Sequence, residues 1–296
     1  MYVVVPIKNF QHAKQRLATV LTESERSSLM QCMLDDVLTA IDQSADLQGA
    51  DLQGAELQQG PQHDPQQNTV SVKGILVVTE DSEVIEWVNT WREDSKLPLT
   101  ILDQPIAYLC DANLGEEGLC RAYNTAANYL VAAGISTMLF LPADIPLISA
   151  TDIQQLLAAQ LLAMQSSGDS KNVTLARAGS DGGTNALLVS PPNLIAPAFG
   201  HNSCEQHAMA AKKQGVEPVV LNMPALELDI DTPDDMHCFM RTGGLRCNIE
   251  PSESNSVLSE STASPCKTWA YLQASGIAHR CLDDKCRPDF SASKTQ

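Results

Sequence analysis

Seven short apolar segments, separated by segments of helical periodicity, constrain the fold of this 296-residue chain more than any other feature. The apolar segments have the length of buried strands, and the segments between them repeat apolar residues at the spacing of one helix face. The predicted strands span residues 2–6, 74–79, 97–102, 137–141, 173–176, 185–189 and 218–221. The predicted helices span residues 23–41, 82–93, 119–133, 150–164 and 204–214. This alternation predicts an α/β fold in which crossover helices cover a sheet.

Two helix starts carry a capping signal. Thr22 followed by Glu25 has the Thr-x-x-Glu pattern of a capping box, and Ser203 followed by Gln206 has the related Ser-x-x-Gln pattern. In such a box the two side chains satisfy backbone amides at the start of the helix. We therefore predict that helices begin directly after Thr22 and Ser203.

Two regions depart from the α/β pattern. Residues 45–59 read ADLQG, ADLQG and AELQQ, and three such pentapeptides are too few to stack a core of their own. Together with the polar residues that follow, they predict a mobile insertion over residues 43–69. Helical periodicity fades near Thr242, and Ser, Glu and Asn dominate residues 250–264. We expect residues 241–296 to form a low-complexity C-terminal tail that catalysis does not need.

The charge balance excludes general nucleic-acid binding. The chain has 36 acidic and 19 basic residues, a formal charge of −17, so a polyphosphate backbone would be repelled except at a local basic site. The most apolar stretch, residues 130–148, contains Gly134, Pro142, Asp144 and Pro146, which argues against a membrane span. The N-terminus lacks the basic leader and apolar stretch of a secretory signal, so we expect a cytoplasmic protein.

Lys8, Lys14 and Arg16 form a local reversal of this charge. The first acidic residue of the chain is Glu23, so these three cations have no carboxylate nearby in the sequence. They follow the first predicted strand, and strand carboxyl ends present loops to ligands in open α/β sheets. The segment indicates either a binding site for a nucleotide's phosphates or a solvated loop with ordinary surface cations.

Three aspartates follow apolar segments at positions suited to a cation. Asp144 ends a predicted strand and is bracketed by Pro142 and Pro146, a setting that fits either a Mg²⁺ ligand or a turn residue. If the segment around Asp229 and Asp231 is extended, their side chains point to the same face, and a cation would relieve their repulsion. Thr232 and Pro233 then begin a helix, with Asp234 and Asp235 in its first turn, where they complement the helix dipole.

An uncharged stretch extends from Thr184 to Cys204, directly after a Gly182-Gly183 turn. Glycine permits close backbone approach, and free amides at the start of a helix attract an anion without a formal positive charge. A small phosphorylated acid therefore fits between Thr184 and the Gly200–Ser203 turn, although a Gly-Gly pair also marks ordinary hairpin turns. His207, one turn into the predicted helix, is interpreted as a packing residue.

Taken together, these motifs resemble the 2-phospho-L-lactate guanylyltransferase family, which also includes the phosphoenolpyruvate and 3-phospho-D-glycerate guanylyltransferases of coenzyme F-420 biosynthesis. The resemblance covers residues 1–240 and rests on VPIK at 5–8, AKQRL at 13–17, LPADIPL at 141–147, DGGTNALL at 181–188 and DIDTP at 229–233. It implies a Rossmann-like nucleotidyltransferase fold with a mixed, mostly parallel sheet and helices on both faces. Residues 1–240 are thereby identified as a guanylyltransferase catalytic domain.

The resemblance also implies the roles of individual residues. GTP would be the donor, a phosphorylated three-carbon acid the acceptor and pyrophosphate the leaving group. Asp144, Asp229 and Asp231 match the metal-binding aspartates of the family. Thr184, Gly200 and Ser203 match its acceptor-binding positions, and Lys8, Lys14 and Arg16 fall in its triphosphate-binding segment. Gly118-Leu119-Cys120 departs from the Gly-Leu-Asn of the family, so guanine recognition is not carried over to this segment.

Two alternatives remain open at this point. One is a nucleotidyltransferase for a pterin or sugar phosphate, although such enzymes usually open with a glycine-rich loop where this chain has Lys8, Lys14 and Arg16. The other is an acidic interaction protein whose insertion contacts a partner while the core only binds nucleotide. A homodimer is the default expectation for the assembly.

Overall fold

Seven strands form one mixed sheet in the order β3-β2-β1-β4-β6-β5-β7. Strand β6 runs antiparallel to both of its neighbours, β4 and β5, and the remaining neighbours pair in parallel. This confirms the expected mixed, mostly parallel sheet. The strands are β1 (Tyr2–Pro6), β2 (Gly74–Thr79), β3 (Leu99–Asp103), β4 (Met138–Phe140), β5 (Asn172–Arg177), β6 (Thr184–Ser190) and β7 (Val219–Leu221).

Helices connect the strands and lie on both faces of the sheet. The structure is a computed structural model that describes residues 1–47, 71–103, 115–179, 181–247 and 266–282. Within these ranges the α-helices are α1 (Glu23–Ser44), α2 (Ser82–Trp91), α3 (Gly115–Ala132), α4 (Ala150–Ser167), α5 (Ser203–Lys213), α6 (Pro233–Cys247), α7 (Lys267–Ala274) and α8 (Ile277–Leu282). No helix within these ranges is long and apolar enough to cross a membrane.

The central strand β1 separates two hydrophobic cores. Successive side chains of a strand point to opposite faces, so Val3 and Val5 pack into the core beneath α1 and α4, while Val4 packs into the core beneath α3 and α5. All three valines are fully buried. Burial of each contributes about 1.5–3 kcal/mol, which explains why a central strand reads as a continuous apolar run.

Two of the predicted helix starts have the expected caps, and one does not. Thr22 and Glu25 form the reciprocal capping box at the start of α1. Thr232 precedes α6, and its hydroxyl accepts the amide of Asp235 at 3.3 Å. The predicted Ser203 cap is wrong, because Asn202 occupies that position with φ 55° and Ser203 is already inside α5. The Ser203 hydroxyl instead donates to Thr184 on the neighbouring strand.

Part of the C-terminal tail folds onto the domain, which corrects the expectation for residues 266–282. Helix α7 packs against α1, α8 packs against α7 and α6, and Trp269, Leu272 and Ile277 join the core on that face. The carboxylate of Asp36, on α1, accepts the amides of Lys267 at 2.7 Å and Thr268 at 2.9 Å, so it caps α7 from another element. Helix α6 also continues beyond residue 240, to Cys247.

The pentapeptide-like insertion lies mostly outside the described residues. Its first two residues, Gln43 and Ser44, end α1. The prediction of a mobile segment over the rest of residues 43–69 therefore stays a prediction.

We predict that the C-terminal helices stabilise the whole domain. Replacing the fully buried Leu272 by alanine leaves a cavity between α7 and α1, which costs about 2–5 kcal/mol in the free energy of unfolding. Urea unfolding measures this loss. The control is Leu162→Ala on α4, where the side chain is 49% exposed and the expected change is within about 0.5 kcal/mol. Equal stability of the two variants would contradict the packing of α7 on the core.

Candidate active site

The carboxyl ends of β1 and β4 meet the start of β6 at one edge of the sheet. Lys14 follows β1, Asp144 follows β4, and Thr184 begins β6. Because β6 runs antiparallel to β4, its first residue lies at the same edge as the end of β4. The topology therefore brings together side chains from distant segments, with Lys14 and Asp144 separated by 130 residues.

A cavity of about 240 Å³ opens at this edge, and we call it the strand-end cavity. Six of the nine site residues predicted from the sequence line it: Asp144, Thr184, Gly200, Ser203, Asp229 and Asp231. Phe140 and Phe199 form an apolar wall, with their rings stacked at 5.0 Å between centroids. The cavity thus has an acidic side, a hydroxyl side and an aromatic wall.

The acidic side is held together by Lys14. Its Nζ lies 2.5 Å from Asp144 Oδ2 and 2.5 Å from Asp231 Oδ1, and its side chain is only 5% exposed. The backbone of Lys14 has φ 55° and ψ 43°, a left-handed conformation that costs a non-glycine residue on the order of 1 kcal/mol. The two ion pairs stabilise this strained conformation, which points the side chain inward.

Charge and burial shift the pKa values of this cluster in different directions. Burial acts to lower the pKa of Lys14, but Asp144 and Asp231 outweigh it and raise the pKa, so the ammonium stays charged. Lys14 lowers the pKa of Asp231. Asp229 forms no ion pair with Lys14, and burial, followed by the charges of Asp144 and Asp231, raises its pKa to about 6. The cluster therefore holds more negative charge than Lys14 alone neutralises.

The other two predicted cations lie on the surface. Lys8 and Arg16 are exposed, and neither lines the strand-end cavity as far as the described residues define it. Arg16 is close enough to Asp231 to contribute to its lowered pKa. The charge of Lys8 acts on Glu80 at the end of β2. The basic segment after β1 is therefore divided, with Lys14 inside the acidic cluster and Lys8 and Arg16 toward solvent.

The donor chemistry of the acidic side fits a hard divalent cation. Asp144 Oδ1 is buried and has no hydrogen-bond partner, so one carboxylate oxygen remains available. Asp229 and Asp231 add further carboxylate oxygens, the ligand type that Mg²⁺ prefers. No three acidic, histidine or cysteine side chains among the described residues already stand in coordinating positions. The cation now between Asp144 and Asp231 is the Lys14 ammonium.

The loop that carries Asp229 and Asp231 is positioned by contacts that the sequence analysis missed. Asn185 Nδ2 donates to the Leu226 carbonyl at 2.8 Å, and the Gly179 amide donates to the Glu227 carbonyl at 2.8 Å. A Cβ on Gly179 would lie 2.9 Å from that carbonyl oxygen, so the close approach requires glycine. Asn185 is a buried amide in an apolar strand, a signal that could have identified it.

The segment before Asp231 is not a strand. Residues 224–227 form a turn, in which the Leu226 amide donates to the Met223 carbonyl at 2.8 Å. The hypothesis that residues 226–231 are extended is therefore wrong at Leu226 and Glu227, and residues 228–231 belong to no strand. Asp229 and Asp231 nevertheless face one cavity. The Ile230 amide donates to the Asp144 carbonyl at 3.2 Å, which joins this loop directly to the end of β4.

The hydroxyl side consists of Thr184 and Ser203 backed by His207. Ser203 Oγ donates to Thr184 Oγ1 at 3.0 Å, and His207 Nδ1 lies 3.0 Å from the same oxygen. The Ala198 amide donates to His207 Nε2 at 2.8 Å. His207 is fully buried, and burial lowers its pKa to about 4. The interpretation of His207 as a buried residue with satisfied ring nitrogens agrees with this geometry.

The start of α5 offers fewer free amides than the sequence suggested. The Ser203 amide donates to the Gly200 carbonyl at 3.0 Å, and the Cys204 amide donates to the Gly182 carbonyl at 3.2 Å. Two of the first helical amides are therefore already used by backbone carbonyls. Polar contacts with a ligand on this side depend more on the hydroxyls than on the helix terminus.

The Gly118-Leu119-Cys120 segment belongs to α3, and Leu119 lines the strand-end cavity.

A larger cavity of about 730 Å³ lies between α1 and α2, beside Trp87 and Trp91. None of the nine predicted site residues lines the larger cavity, so its size does not make it the reaction site.

Comparison with known sequences adds an independent observation. The chain matches the family described as guanylyl transferase CofC like over residues 1–51 and 101–248. A phosphoenolpyruvate guanylyltransferase of Roseiflexus sp. strain RS-1 is 31% identical, over 80% of this chain and 83% of that protein. A 2-phospho-L-lactate guanylyltransferase of Methanothermobacter thermautotrophicus is 28% identical, over 79% and 81%. A 3-phospho-D-glycerate guanylyltransferase of Colwellia psychrerythraea is 27% identical, over 79% and 88%.

A solved structure supports the fold. A protein from Desulfovibrio desulfuricans G20, provisionally assigned as a nucleotide-diphospho-sugar transferase, superposes with a TM-score of 0.55. The match covers 94% of this chain and 96% of that chain at 15% sequence identity. This likeness concerns the chain fold, which agrees with the Rossmann-like architecture expected from the sequence.

We predict that Asn185 anchors the loop of Asp229 and Asp231. Asn185→Ala leaves the Leu226 carbonyl without its donor in a buried position, which costs about 1–3 kcal/mol in the free energy of unfolding. The control is Asn193→Ala, an exposed asparagine beyond the end of β6, for which we expect a change within about 0.5 kcal/mol. Denaturant unfolding of both variants measures the two changes. An Asn185→Ala protein with the wild-type free energy of unfolding would contradict the anchoring role.

We also predict that His207 makes stability depend on pH between 6.5 and about 4. In this range the unfolded chain protonates the histidine and the folded chain does not, so stability is complete above pH 6.5 and falls on acidification. The loss attributable to His207 is about 3 kcal/mol. Urea unfolding of the wild type and of His207→Asn at several pH values in this range measures the loss. Asp229 has the opposite effect on stability, but it is present in both proteins and cancels when their free energies of unfolding are subtracted. If the two free energies change in parallel with pH, the prediction is contradicted.

Proposed function

The chain belongs to the family of CofC-like guanylyl transferases, and from this membership we propose that it transfers the guanylyl group of GTP to a phosphorylated three-carbon acid. The acceptor would be phosphoenolpyruvate, 2-phospho-L-lactate or 3-phospho-D-glycerate, the compounds named for its relatives. The reaction would release pyrophosphate and, as the sequence resemblance implies, serve coenzyme F-420 biosynthesis.

One observation carries the proposal. Three carboxylates and two hydroxyls from distant segments face a single cavity at the carboxyl edge of the sheet, and the buried Lys14 pairs with two of those carboxylates. Open α/β sheets bind ligands at this edge, where the strand order reverses. The cavity offers a charged side for a polyphosphate and a neutral side for a small second reactant.

The two reactants are both anions, so the chain must supply positive charge locally. Lys14 pairs with Asp144 and Asp231 beside the cavity, and the exposed Lys8 and Arg16 precede and follow it, respectively, in the segment after β1. We assign these three cations to the triphosphate of GTP. Their charge would offset the negative charge that develops on the departing pyrophosphate.

We assign Asp144, Asp229 and Asp231 to a Mg²⁺ ion. Asp144 contributes the unpaired buried oxygen, and burial followed by the charges of Asp144 and Asp231 raises the pKa of Asp229. A divalent cation would relieve the repulsion among the three carboxylates. When bound, Mg²⁺ would neutralise phosphate oxygens and stabilise developing charge by several kcal/mol. The carboxylates themselves fix where that charge is concentrated.

On the neutral side, Thr184 and Ser203 would bind the acceptor, with Gly200 allowing close backbone approach. No charged residue occurs from Thr184 to Cys204, so the acceptor is bound by hydroxyl donors rather than by a second cluster of cations. Hydrogen bonds to an ionised group are stronger than neutral ones, which makes such donors sufficient.

The transfer then needs no covalent enzyme intermediate. An acceptor phosphate oxygen attacks the α-phosphorus of GTP in line, a new phosphorus–oxygen bond forms, and the bond to the β-phosphate bridging oxygen breaks. The phosphate monoester has its second pKa near 6, so it is largely ionised at neutral pH and requires no general base. The enzyme contributes chiefly by positioning two anions and stabilising charge.

We predict that Asp144→Asn and Asp231→Asn each reduce turnover at least about a hundredfold, the effect of losing one preorganised electrostatic group. Pyrophosphate release from GTP, measured with each of the three acids in separate reactions, provides the assay. The control is Asp234→Asn, which removes the same charge from an exposed position three residues beyond Asp231. Near-normal rates in the two site variants would remove the assignment of these carboxylates.

The same assay tests the function as a whole. Wild-type protein should release pyrophosphate from GTP with at least one of the acids and not without an acceptor. Absence of release with all three acids, from protein that is folded by its unfolding transition, would contradict the proposed activity.

A further inference from the structure

His207 lies on α5 behind the hydroxyl side of the cavity and takes no part in the chemistry described above. Both ring nitrogens nevertheless have fixed neighbours: the Ala198 amide at 2.8 Å from Nε2 and the Thr184 hydroxyl at 3.0 Å from Nδ1. The Phe199 ring packs edge-on against the imidazole at 5.0 Å between centroids. The ring is therefore fixed in orientation as well as buried.

The contact with Ala198 determines the tautomer. A backbone amide only donates, so Nε2 must accept, and the single hydrogen of the neutral ring lies on Nδ1. Burial keeps the ring neutral at physiological pH, because it lowers the pKa to about 4. Nδ1 therefore donates to Thr184 Oγ1.

The tautomer of His207 determines which groups the Thr184 and Ser203 hydroxyls donate to. Thr184 Oγ1 accepts one hydrogen bond from His207 Nδ1 and a second from Ser203 Oγ, so both of its lone pairs are used. Its own hydrogen is left to donate to another group, and Thr184 lines the strand-end cavity. With the opposite tautomer, Thr184 would donate to Nδ1 and Ser203 to Thr184, and neither hydrogen would remain for a ligand.

We propose that His207 is a positioning residue that makes Thr184 a hydrogen-bond donor toward an anionic oxygen of the acceptor. The proposal rests on the proposed function and deepens it, since it states how an uncharged wall recognises a phosphorylated acid. The donor matters here because the amides of Ser203 and Cys204 already donate to backbone carbonyls. Specificity follows as well: an oxygen that only accepts fits this wall, and a group that only donates is rejected.

Two substitutions separate positioning from packing. His207→Asn keeps an amide donor near the place of Nδ1, whereas His207→Gln keeps an acceptor near the place of Nε2 and loses the donor to Thr184. We expect His207→Gln to raise the acceptor KM on the order of tenfold, the value of one hydrogen bond to a charged group. His207→Asn should raise it about threefold or less, and the KM for GTP should be unchanged in both.

The two variants should rank in the opposite order in stability. His207→Asn leaves the Ala198 amide without a hydrogen-bond partner, so it should have a lower Tm than His207→Gln although it binds the phosphorylated acid more tightly than His207→Gln. A residue that only packs would make the less stable variant the weaker binder. Equal acceptor KM values in the two variants, or values that follow Tm, would overturn the proposal.

A coupling measurement tests the route through Thr184. In a Thr184→Val background, His207→Gln should add less than about twofold to the acceptor KM, because the hydroxyl that it orients is gone. A full tenfold effect in that background would also overturn the proposal.

Binding measured without turnover distinguishes failure of the His207 role from failure of the proposed function. Calorimetric titration of phosphoenolpyruvate and of 3-phospho-D-glycerate into the wild type and both His207 variants should give the same order of dissociation constants as the acceptor KM values. If the wild type turns over but the variants do not differ, only the role of His207 fails. If the wild type neither binds nor converts any of the acids, the proposed function fails and the positioning role fails with it.

Discussion

The ammonium group of Lys14 holds the carboxylates of Asp144 and Asp231 together at the edge of the sheet, and the rest of the site is arranged around this contact. Without a cation between them, two part-buried carboxylates would repel each other and lose the hydration that they have in the unfolded chain. The contact also joins three segments that are remote in sequence: the turn after β1, the end of β4 and the loop before α6. The two ion pairs offset the cost of the left-handed backbone at Lys14.

The two sides of the strand-end cavity differ in charge. On the acidic side three carboxylates outnumber Lys14, and burial followed by the charges of Asp144 and Asp231 raises the pKa of Asp229, so a polyphosphate would need a further cation there. On the hydroxyl side the residues from Thr184 to Cys204 carry no formal charge, and orientation replaces it: the Ala198 amide sets His207, and His207 in turn sets Thr184. A site that joins two anions benefits from this division, because a second cluster of cations would compete for the triphosphate.

Most of the fold could be predicted because the inner strands of the sheet are buried on both faces. Residues 2–6 and 74–79 read as continuous apolar runs and form strands with those bounds. Capping motifs predicted helix starts correctly where both partners lie close in the sequence, as with Thr22 and Glu25. The Ser203 motif predicted a cap that does not form, because the Ser203 hydroxyl donates to Thr184 on a strand. Helices α7 and α8 were missed because Asp36, 230 residues away along the chain, supplies the cap.

Part of the candidate site could also be predicted from the sequence. Asp144 and Thr184 lie next to strand ends that the sheet topology brings to one edge, whereas Asp231 lies on a loop, and Asn185 and His207 act through contacts that exist only in the folded chain. The central claim is that this cavity joins a nucleotide to a small phosphorylated acid. The most direct measurement follows the α-phosphate of GTP by ³¹P NMR with Mg²⁺ and each acid in turn. The account predicts a diphosphate-linked product and pyrophosphate in equal amounts from the wild type, and neither from Asp231→Asn. Loss of GTP to GDP and phosphate, with no linked product, would contradict it.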